Sequence, residues 1–293
     1  MGACPRGMAG VEVLAALAGV SFLSGVAGSF LGIGGGIFLV PFLTLVLGVQ
    51  PQVAVATSLV GVIATSSGAA SVYVRDRITN LRLGMLLEIA TTTGAILGAV
   101  VAVYLDPNAI FLLFGVASVF AAAYMARTRE TAKDRAARAV SAPETPDRLR
   151  LSSVYLDPED RAMYRYRVER PLAGFAASAA AGGVSGLLGV GGGFVKVPVM
   201  HVLMRVPMKA AVATSNLMIG VTAAASAFIY YSRGFLDPGL TAMTVLGVLG
   251  GTALGTRLML KTKPNRIRVV FAAFLLFIGA LMGLRAFGVG VIP

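Results

Sequence analysis

The stretch Leu31-Gly-Ile-Gly-Gly-Gly-Ile-Phe-Leu-Val-Pro41 recurs in the same pattern as Leu188-Gly-Val-Gly-Gly-Gly-Phe-Val-Lys-Val-Pro198. The same offset of 157 residues relates Ala54-Val-Ala-Thr-Ser58 to Ala211-Val-Ala-Thr-Ser215. A chance match between runs of small residues would not keep one register over so long a stretch. The sequence therefore predicts a duplicated structural unit.

The composition places this unit in a membrane. The chain has 293 residues, of which 57% are hydrophobic and 13% charged, whereas a soluble domain carries about 25% charged residues. A membrane-spanning helix needs about 20 mostly apolar residues. Ten apolar runs are found, five on each side of a charged stretch: 11–31, 36–47, 53–74, 83–104, 109–126, 172–188, 194–204, 210–231, 240–260 and 269–284.

The second run of each half is too short to cross a bilayer comfortably, and each begins at a glycine cluster. Such a length is typical of a re-entrant or broken helix. We therefore predict an all-α polytopic membrane protein with 8–10 membrane segments. Its two repeats, each of about five helical segments, cover residues 1–126 and 171–293, and residues 127–170 form a charged loop between them.

Loop charges predict the orientation of the repeats. The loop 127–170 holds 11 of the 25 Lys and Arg residues and 8 of the 13 Asp and Glu residues. With five segments per repeat, the second copy is inverted and the basic loops fall on one face, which the positive-inside rule makes cytoplasmic. That face collects residues 75–82, 127–170, 205–209 and 261–268, whereas 48–52, 106 and 233–237 lie opposite. The net charge of +12 thus indicates topology, and nucleic acid is not a predicted partner.

The glycine motifs are candidate binding elements. They lack the Lys-Ser/Thr pair of a phosphate loop and the distal acid of a dinucleotide site, so nucleotide binding is rejected. A helix that restarts after unwound glycines presents unpaired N–H groups and a positive dipole end, which suit an anion. Close packing of small residues is the alternative. The candidate residues are Gly34, Gly35, Gly36, Gly191, Gly192 and Gly193.

Hydroxyl and amide side chains follow each motif at the start of the third segment. Thr57, Ser58, Thr214, Ser215 and Asn216 can hydrogen-bond an oxyanion without adding negative charge. The alternative is back-bonding of Ser and Thr to carbonyl groups of their own helix.

Four ionisable side chains lie within apolar runs: Glu88, Lys196, His201 and Arg257. Ionisable groups inside a membrane are costly and are functional candidates for that reason. Lys196 or Arg257 could attract an anion, and Glu88 or His201 could carry a coupling proton. The alternatives are a snorkelling Arg257 and structural roles for the other three. Each occurs in one repeat only.

The paired Gly-x-Gly-Gly-Gly-(x)3-Val-Pro elements at 32–41 and 189–198, each followed by Ala-Val-Ala-Thr-Ser, resemble the TauE/SafE family of membrane permeases. The resemblance covers nearly the whole chain except 127–170. It implies a multi-pass inner-membrane transporter for sulfite, sulfoacetate and related sulfur-containing anions. The implied site consists of Gly34 to Gly36, Thr57, Ser58, Gly191 to Gly193, Thr214, Ser215 and Asn216.

The predicted function is that of a secondary transporter for a small anion such as sulfite or an organosulfonate. It would work by alternating access at a midplane site between the two inverted helix starts. The expected partners are the anion, the lipid bilayer and a coupling ion, H⁺ or Na⁺, and a homo-oligomer stays open. No catalytic residues, cofactor or metal site are predicted. An anion channel is the first alternative, and a membrane-embedded enzyme or scaffold the second.

Overall fold

The computed structural model describes residues 11–127, 149–156, 163–261 and 265–286, so the predicted loop 127–170 lies partly outside the described residues. The described chain is almost entirely helical, with one short hairpin. Its helices are α1 Val11–Leu31, α2 Gly36–Pro41, α3 Pro51–Arg75, α4 Leu81–Tyr104, α5 Pro107–Arg127, α6 Pro171–Leu188, α7 Gly193–Pro198, α8 Met208–Ser232, α9 Pro238–Lys261 and α10 Asn265–Ala286. The hairpin consists of β1 Ser153–Leu156 and β2 Met163–Tyr166, which pair antiparallel.

Six of the described helices are long and apolar enough to cross a membrane: α1, α3, α4, α6, α8 and α9. The short second and seventh segments are also observed, as apolar helical stretches over Gly36–Val46 and Gly193–Leu203. The all-α polytopic membrane architecture is thus confirmed. The inversion of one repeat relative to the other stays a prediction.

A proline shapes each short segment. Pro41 and Pro198 end the α-helical part of α2 and α7, and π-helical turns over Phe42–Val46 and Val199–Leu203 continue them. Proline lacks the N–H that the helix ladder needs, and its ring crowds the carbonyl four residues earlier. The ladder widens after it: Leu47 N–H donates to the Phe42 carbonyl at 3.2 Å. The prolines therefore deform the segments without ending them.

Glycines allow two helix pairs to pack at backbone contact, α4 with α6 and α1 with α9. A Cβ on Gly94 would collide with the Ala179 carbonyl, and one on Gly251 would collide with the Phe22 carbonyl. The offset of 157 residues relates the two contacts to each other, since Gly94 corresponds to Gly251 and Phe22 to Ala179. The contacts between helices are therefore repeated together with the sequence.

Loop contacts sort the described loops into two groups. Asn80 Nδ2 donates to the Leu151 carbonyl at 2.8 Å, and Arg205 pairs with Glu169 at 3.2 Å. In the other group Gln52 Nε2 donates to the Leu105 carbonyl at 3.3 Å, and Arg233 donates to the hydroxyl of Tyr104 at 2.8 Å. Each group joins loops that the charge pattern assigns to one face, and the orientation of the faces stays a prediction.

Part of the central segment packs onto the helices, where the sequence predicted a charged loop alone. Leu151, Tyr166 and Val168 are buried, and Asn80 Nδ2 donates to the Tyr166 hydroxyl at 3.1 Å. Burial raises the pKa of Tyr166 to about 12. The hairpin was not predicted, because its two four-residue strands are amphipathic pieces within a highly charged stretch.

Candidate functional site

The two glycine loops meet inside the protein. Gly35 and Gly192 have φ angles of 82° and 69°, a conformation that glycine adopts without the steric cost of a Cβ. Each loop also contacts the helix start of the other repeat: a Cβ on Gly36 would collide with the Gly189 carbonyl, and one on Gly193 with the Gly32 carbonyl. The predicted glycines are thus brought together, and the backbones touch with no room for a side chain.

Two serines hold this contact across the repeats. Ser58 Oγ donates to the Gly189 carbonyl at 2.8 Å, and Ser215 Oγ donates to the Gly32 carbonyl at 2.9 Å. All four residues are buried. Each serine therefore satisfies a loop carbonyl of the opposite repeat, and the hydroxyl hydrogen is used by the protein in this conformation.

The other three predicted polar residues, Thr57, Thr214 and Asn216, differ in their hydrogen bonds. Thr57 Oγ1 is buried without a hydrogen-bond partner, so its hydroxyl can donate to a ligand. Thr214 Oγ1 accepts from the Asn80 N–H at 3.0 Å. Asn216 Nδ2 donates to the carbonyls of Ser29 and Val212, both at 3.1 Å, and its Oδ1 is left without a partner. In this amide orientation Asn216 presents an acceptor, which does not favour an anion.

Two of the predicted ionisable residues are linked through a third residue. Lys196 is fully buried in α7, and its Nζ donates to Thr222 Oγ1 at 2.8 Å. The Thr222 hydroxyl in turn lies 2.8 Å from Glu88 Oε1. Thr91 and Thr92 also donate to this carboxylate, at 3.1 and 2.7 Å. We call Lys196, Thr222 and Glu88, which come from α7, α8 and α4, the relay.

The other two ionisable candidates do not join the relay. His201 is buried in the π-helical turn after α7, where its Nδ1 lies 2.9 Å from the Val206 carbonyl. Arg257 is exposed near the end of α9, as snorkelling would place it.

Several site residues were not predicted. Thr222 is one threonine among many in apolar helices, and no sequence signal distinguishes it. Tyr73 and Tyr230 carry a signal, since they are related by the same offset of 157 residues. Their hydroxyls donate at 3.0 Å to the carbonyls of Ser29 and Gly186, just before each glycine loop. Both tyrosines therefore hold the last turn of the helix that precedes a glycine loop.

Comparisons with known proteins agree with the architecture. The family model of the sulfite exporter TauE/SafE matches residues 17–282. The probable membrane transporter protein YunE of Bacillus subtilis is 26% identical over 268 residues, which cover 89% of this chain and 93% of the relative. A probable membrane transporter protein of Xylella fastidiosa is 26% identical over 257 residues, covering 87% and 88% of the two chains.

A third relative comes from an archaeon. The probable membrane transporter protein of Methanocaldococcus jannaschii is 25% identical over 280 residues, which cover 90% of this chain and 92% of the relative. These matches extend over nearly the full length of both proteins in each case. No solved structure matches the chain.

Proposed function

The chain belongs to the sulfite exporter TauE/SafE family, and from this membership we propose that it is a secondary transporter for a small anion, either sulfite or an organosulfonate. The family match and the relatives' names support a multi-pass membrane transporter. They also favour transport over catalysis. The anion, the mechanism and the cytoplasmic-membrane location with a cytoplasmic central segment are our proposals.

The observation that carries the proposal is the contact between the two glycine loops. Two broken helices start at Gly36 and Gly193, each against the loop of the other repeat. Broken helices in duplicated membrane proteins are found where substrates bind, and irregular backbone at membrane depth is stable only in protein or beside a cavity. Separation of the loops would open a site lined by N–H groups and hydroxyls.

Alternating access explains the geometry better than a static pore. The serine hydrogen bonds of Ser58 and Ser215 cross between the repeats, and the backbones leave no gap there. An anion that passes between the loops must break this contact. A carrier breaks and restores it once in each cycle, whereas a channel would need an open arrangement.

The charge of the region favours an anion as substrate. Helix starts carry a partial positive charge, and the fully buried Lys196 lies one turn after Gly193. The sulfonate and sulfite groups that the family name suggests are compact oxyanions, which hydrogen-bond well to backbone N–H and hydroxyl donors.

Counterflow separates a carrier from a channel. The purified protein is reconstituted in liposomes preloaded with an unlabelled anion, and uptake of the same labelled anion is followed. The panel contains sulfite, sulfoacetate, taurine, sulfate and simple carboxylates, and thermal-shift measurements with the same compounds rank binding. A carrier accumulates label transiently by exchange. If the uptake of label is the same with and without unlabelled anion inside the liposomes, the protein is a channel. No uptake of any compound would refute the proposal.

Glycine variants test the loops themselves. In Gly35→Ala and Gly192→Ala the new Cβ would lie 2.6 Å and 2.9 Å from the carbonyls of Ser24 and Ala181, so we expect transport to be lost. Gly48 and Gly234 also have positive φ, but a Cβ there would contact nothing within 4 Å. Their alanine variants are matched controls for backbone strain. Normal exchange by the loop variants would place the pathway elsewhere.

A further inference from the structure

The fully buried ammonium of Lys196 has no direct contact with the carboxylate that compensates its charge. The Lys196 ammonium is linked to the Glu88 carboxylate through the Thr222 hydroxyl, at 2.8 Å on each side. A buried charge is stable only where it is paired and hydrogen-bonded. The relay therefore holds one positive and one negative charge, and its net charge is zero.

The surroundings supply no second carboxylate. Helices α3 to α8 and the turn after α7 pack around the relay, and Glu88 is the only acidic residue in the described sequences of these elements. Helix α1 also contacts α8, where Asn216 bonds Ser29, and its Glu12 lies about 25 Å from Ser29 by helix rise. The other titratable groups on the elements around the relay are Tyr73, Arg75, Arg82, Tyr104, Tyr124, Arg127, His201, Lys209, Tyr230 and Tyr231. Along α8, Lys209 and Tyr230 are about 20 and 12 Å from Thr222 by helix rise.

The two ends of the relay differ in access. Lys196 is fully buried, whereas Glu88 is only half-buried. The carboxylate is therefore the more accessible end of the relay, and the ammonium is the enclosed end. The Thr222 hydroxyl also has a second acceptor, because it lies 3.0 Å from the Met218 carbonyl of its own helix. If Glu88 becomes protonated, this hydroxyl can turn to Met218 and release the relay.

We propose that the anion and a proton bind together, the proton on the Glu88 carboxylate and the anion at the Lys196 ammonium, which this carboxylate otherwise neutralises. The empty carrier and the carrier loaded with a single-charged anion then have the same net charge at the relay. The proton adds to one carboxylate oxygen, giving a neutral carboxylic acid, and no other bond changes. Anion and proton move in the same direction, one of each.

This inference rests on the proposed function, since it requires that an anion is carried, and it adds the coupling ion and the residues that hold it. Linkage gives its signature. If each bound anion takes up one proton, affinity for the anion falls as the pH rises, by up to about tenfold for each pH unit. The affinity is highest at low pH and is lost as the pH rises.

The first experiment needs no variant. Proteoliposomes contain a pH-sensitive dye and receive an inward gradient of methanesulfonate, or of a panel anion that shows exchange and carries one negative charge near neutral pH. Methanesulfonate is suitable because its single sulfonate group stays ionised near neutral pH and brings in no proton. We expect the lumen to acidify by about one proton per anion taken up. Alkalinisation or a constant lumen pH during anion uptake would overturn the inference.

Variants assign the two roles. Glu88→Gln keeps the shape and one acceptor oxygen for the Thr92 and Thr222 hydroxyls, while its amide N–H can donate to Thr91 Oγ1, so we expect anion exchange to persist without proton movement and with pH-independent affinity. Lys196→Met should lower anion affinity about tenfold or more, the effect of losing a charge-assisted hydrogen bond. Leu39→Met is the matched control, because Leu39 is the buried residue that corresponds to Lys196 in the first repeat.

The outcomes separate the two proposals. Absence of exchange by the wild type with every compound refutes the transporter function. Net anion uptake by the wild type without lumen acidification refutes only the coupling. Proton movement that survives in Glu88→Gln would place the coupling group elsewhere and also refute the inference.

Discussion

The hydrogen bonds of Ser58 and Ser215 give the sharpest prediction about what holds the two repeats together. Each serine is buried and donates to a carbonyl at a glycine with positive φ, Gly189 or Gly32. In Ser58→Ala the Gly189 carbonyl loses this donor and stays buried. Ser215→Ala does the same to Gly32.

The magnitude follows from the position of the carbonyl. A buried acceptor without a partner costs about 1–3 kcal/mol. Side-chain hydrogen bonds between membrane helices average only about 0.6 kcal/mol, in part because alternative partners exist in the unfolded state. The Gly189 and Gly32 carbonyls lie just past helix ends, and we expect about 1.5 kcal/mol for each serine, or a fall in Tm of about 3–6 °C.

The assay is thermal or denaturant unfolding of the detergent-solubilised protein. Ser71→Ala is the matched control, because Ser71 is exposed and donates at 2.8 Å to the Gly68 carbonyl of its own helix. Its loss should cost a few tenths of a kcal/mol at most, since the helix already satisfies that carbonyl. If Ser58→Ala and Ser215→Ala are as stable as Ser71→Ala, the crossing hydrogen bonds do not hold the loops together.

Three further predictions concern single side chains. Thr57→Val should leave stability unchanged or slightly raise it, since the Thr57 hydroxyl has no partner, while anion affinity in thermal-shift titrations falls; a large loss of stability would contradict this. Asn80→Ala should cost about 2–4 kcal/mol in denaturant unfolding, against about 1 for Asp237→Ala. Both residues cap a helix, but Asn80 also donates to Leu151 and Tyr166. Equal losses of unfolding free energy in the two variants would refute that reasoning. Burial holds the pKa of Tyr166 at about 12, against about 10 in an unfolded chain. Its neutral form therefore contributes stability that is present below pH 10 and is lost between about pH 10 and 12, and Tyr166→Phe should remove this alkaline fall in hairpin protection, measured by hydrogen exchange.

The loop positions show how far the linear sequence reaches. Gly35 and Gly192 could be found because only a repeated requirement for positive φ and close approach keeps glycine at both sites of a 157-residue offset. The same offset drew attention to Ser58 and Ser215. Their partners could not be predicted, because each serine bonds across to the other repeat, and spacing along one repeat carries no information about that contact.

Lys196 and Glu88 mark the other limit. Each was a candidate because a charge within an apolar segment is costly wherever it lies. Their connection through Thr222 depends on how α4, α7 and α8 pack, and threonine is too common in these helices to indicate it. The packing also places His201 and Arg257 away from the relay. The sequence could not distinguish them from Lys196 and Glu88, because all four are ionisable residues within apolar segments.

The sequence by itself determined the membrane architecture, the duplicated unit and the two broken helices, since apolar length, glycine and proline act locally on the backbone. The tertiary structure decided which polar groups meet. Buried hydrogen bonds and charge compensation depend on distances of about 3 Å between distant segments, and only the packed helices set those distances. The glycine loop that first revealed the fold therefore also illustrates what folding adds: a carbonyl at Gly32 whose donor, Ser215, lies in the other repeat.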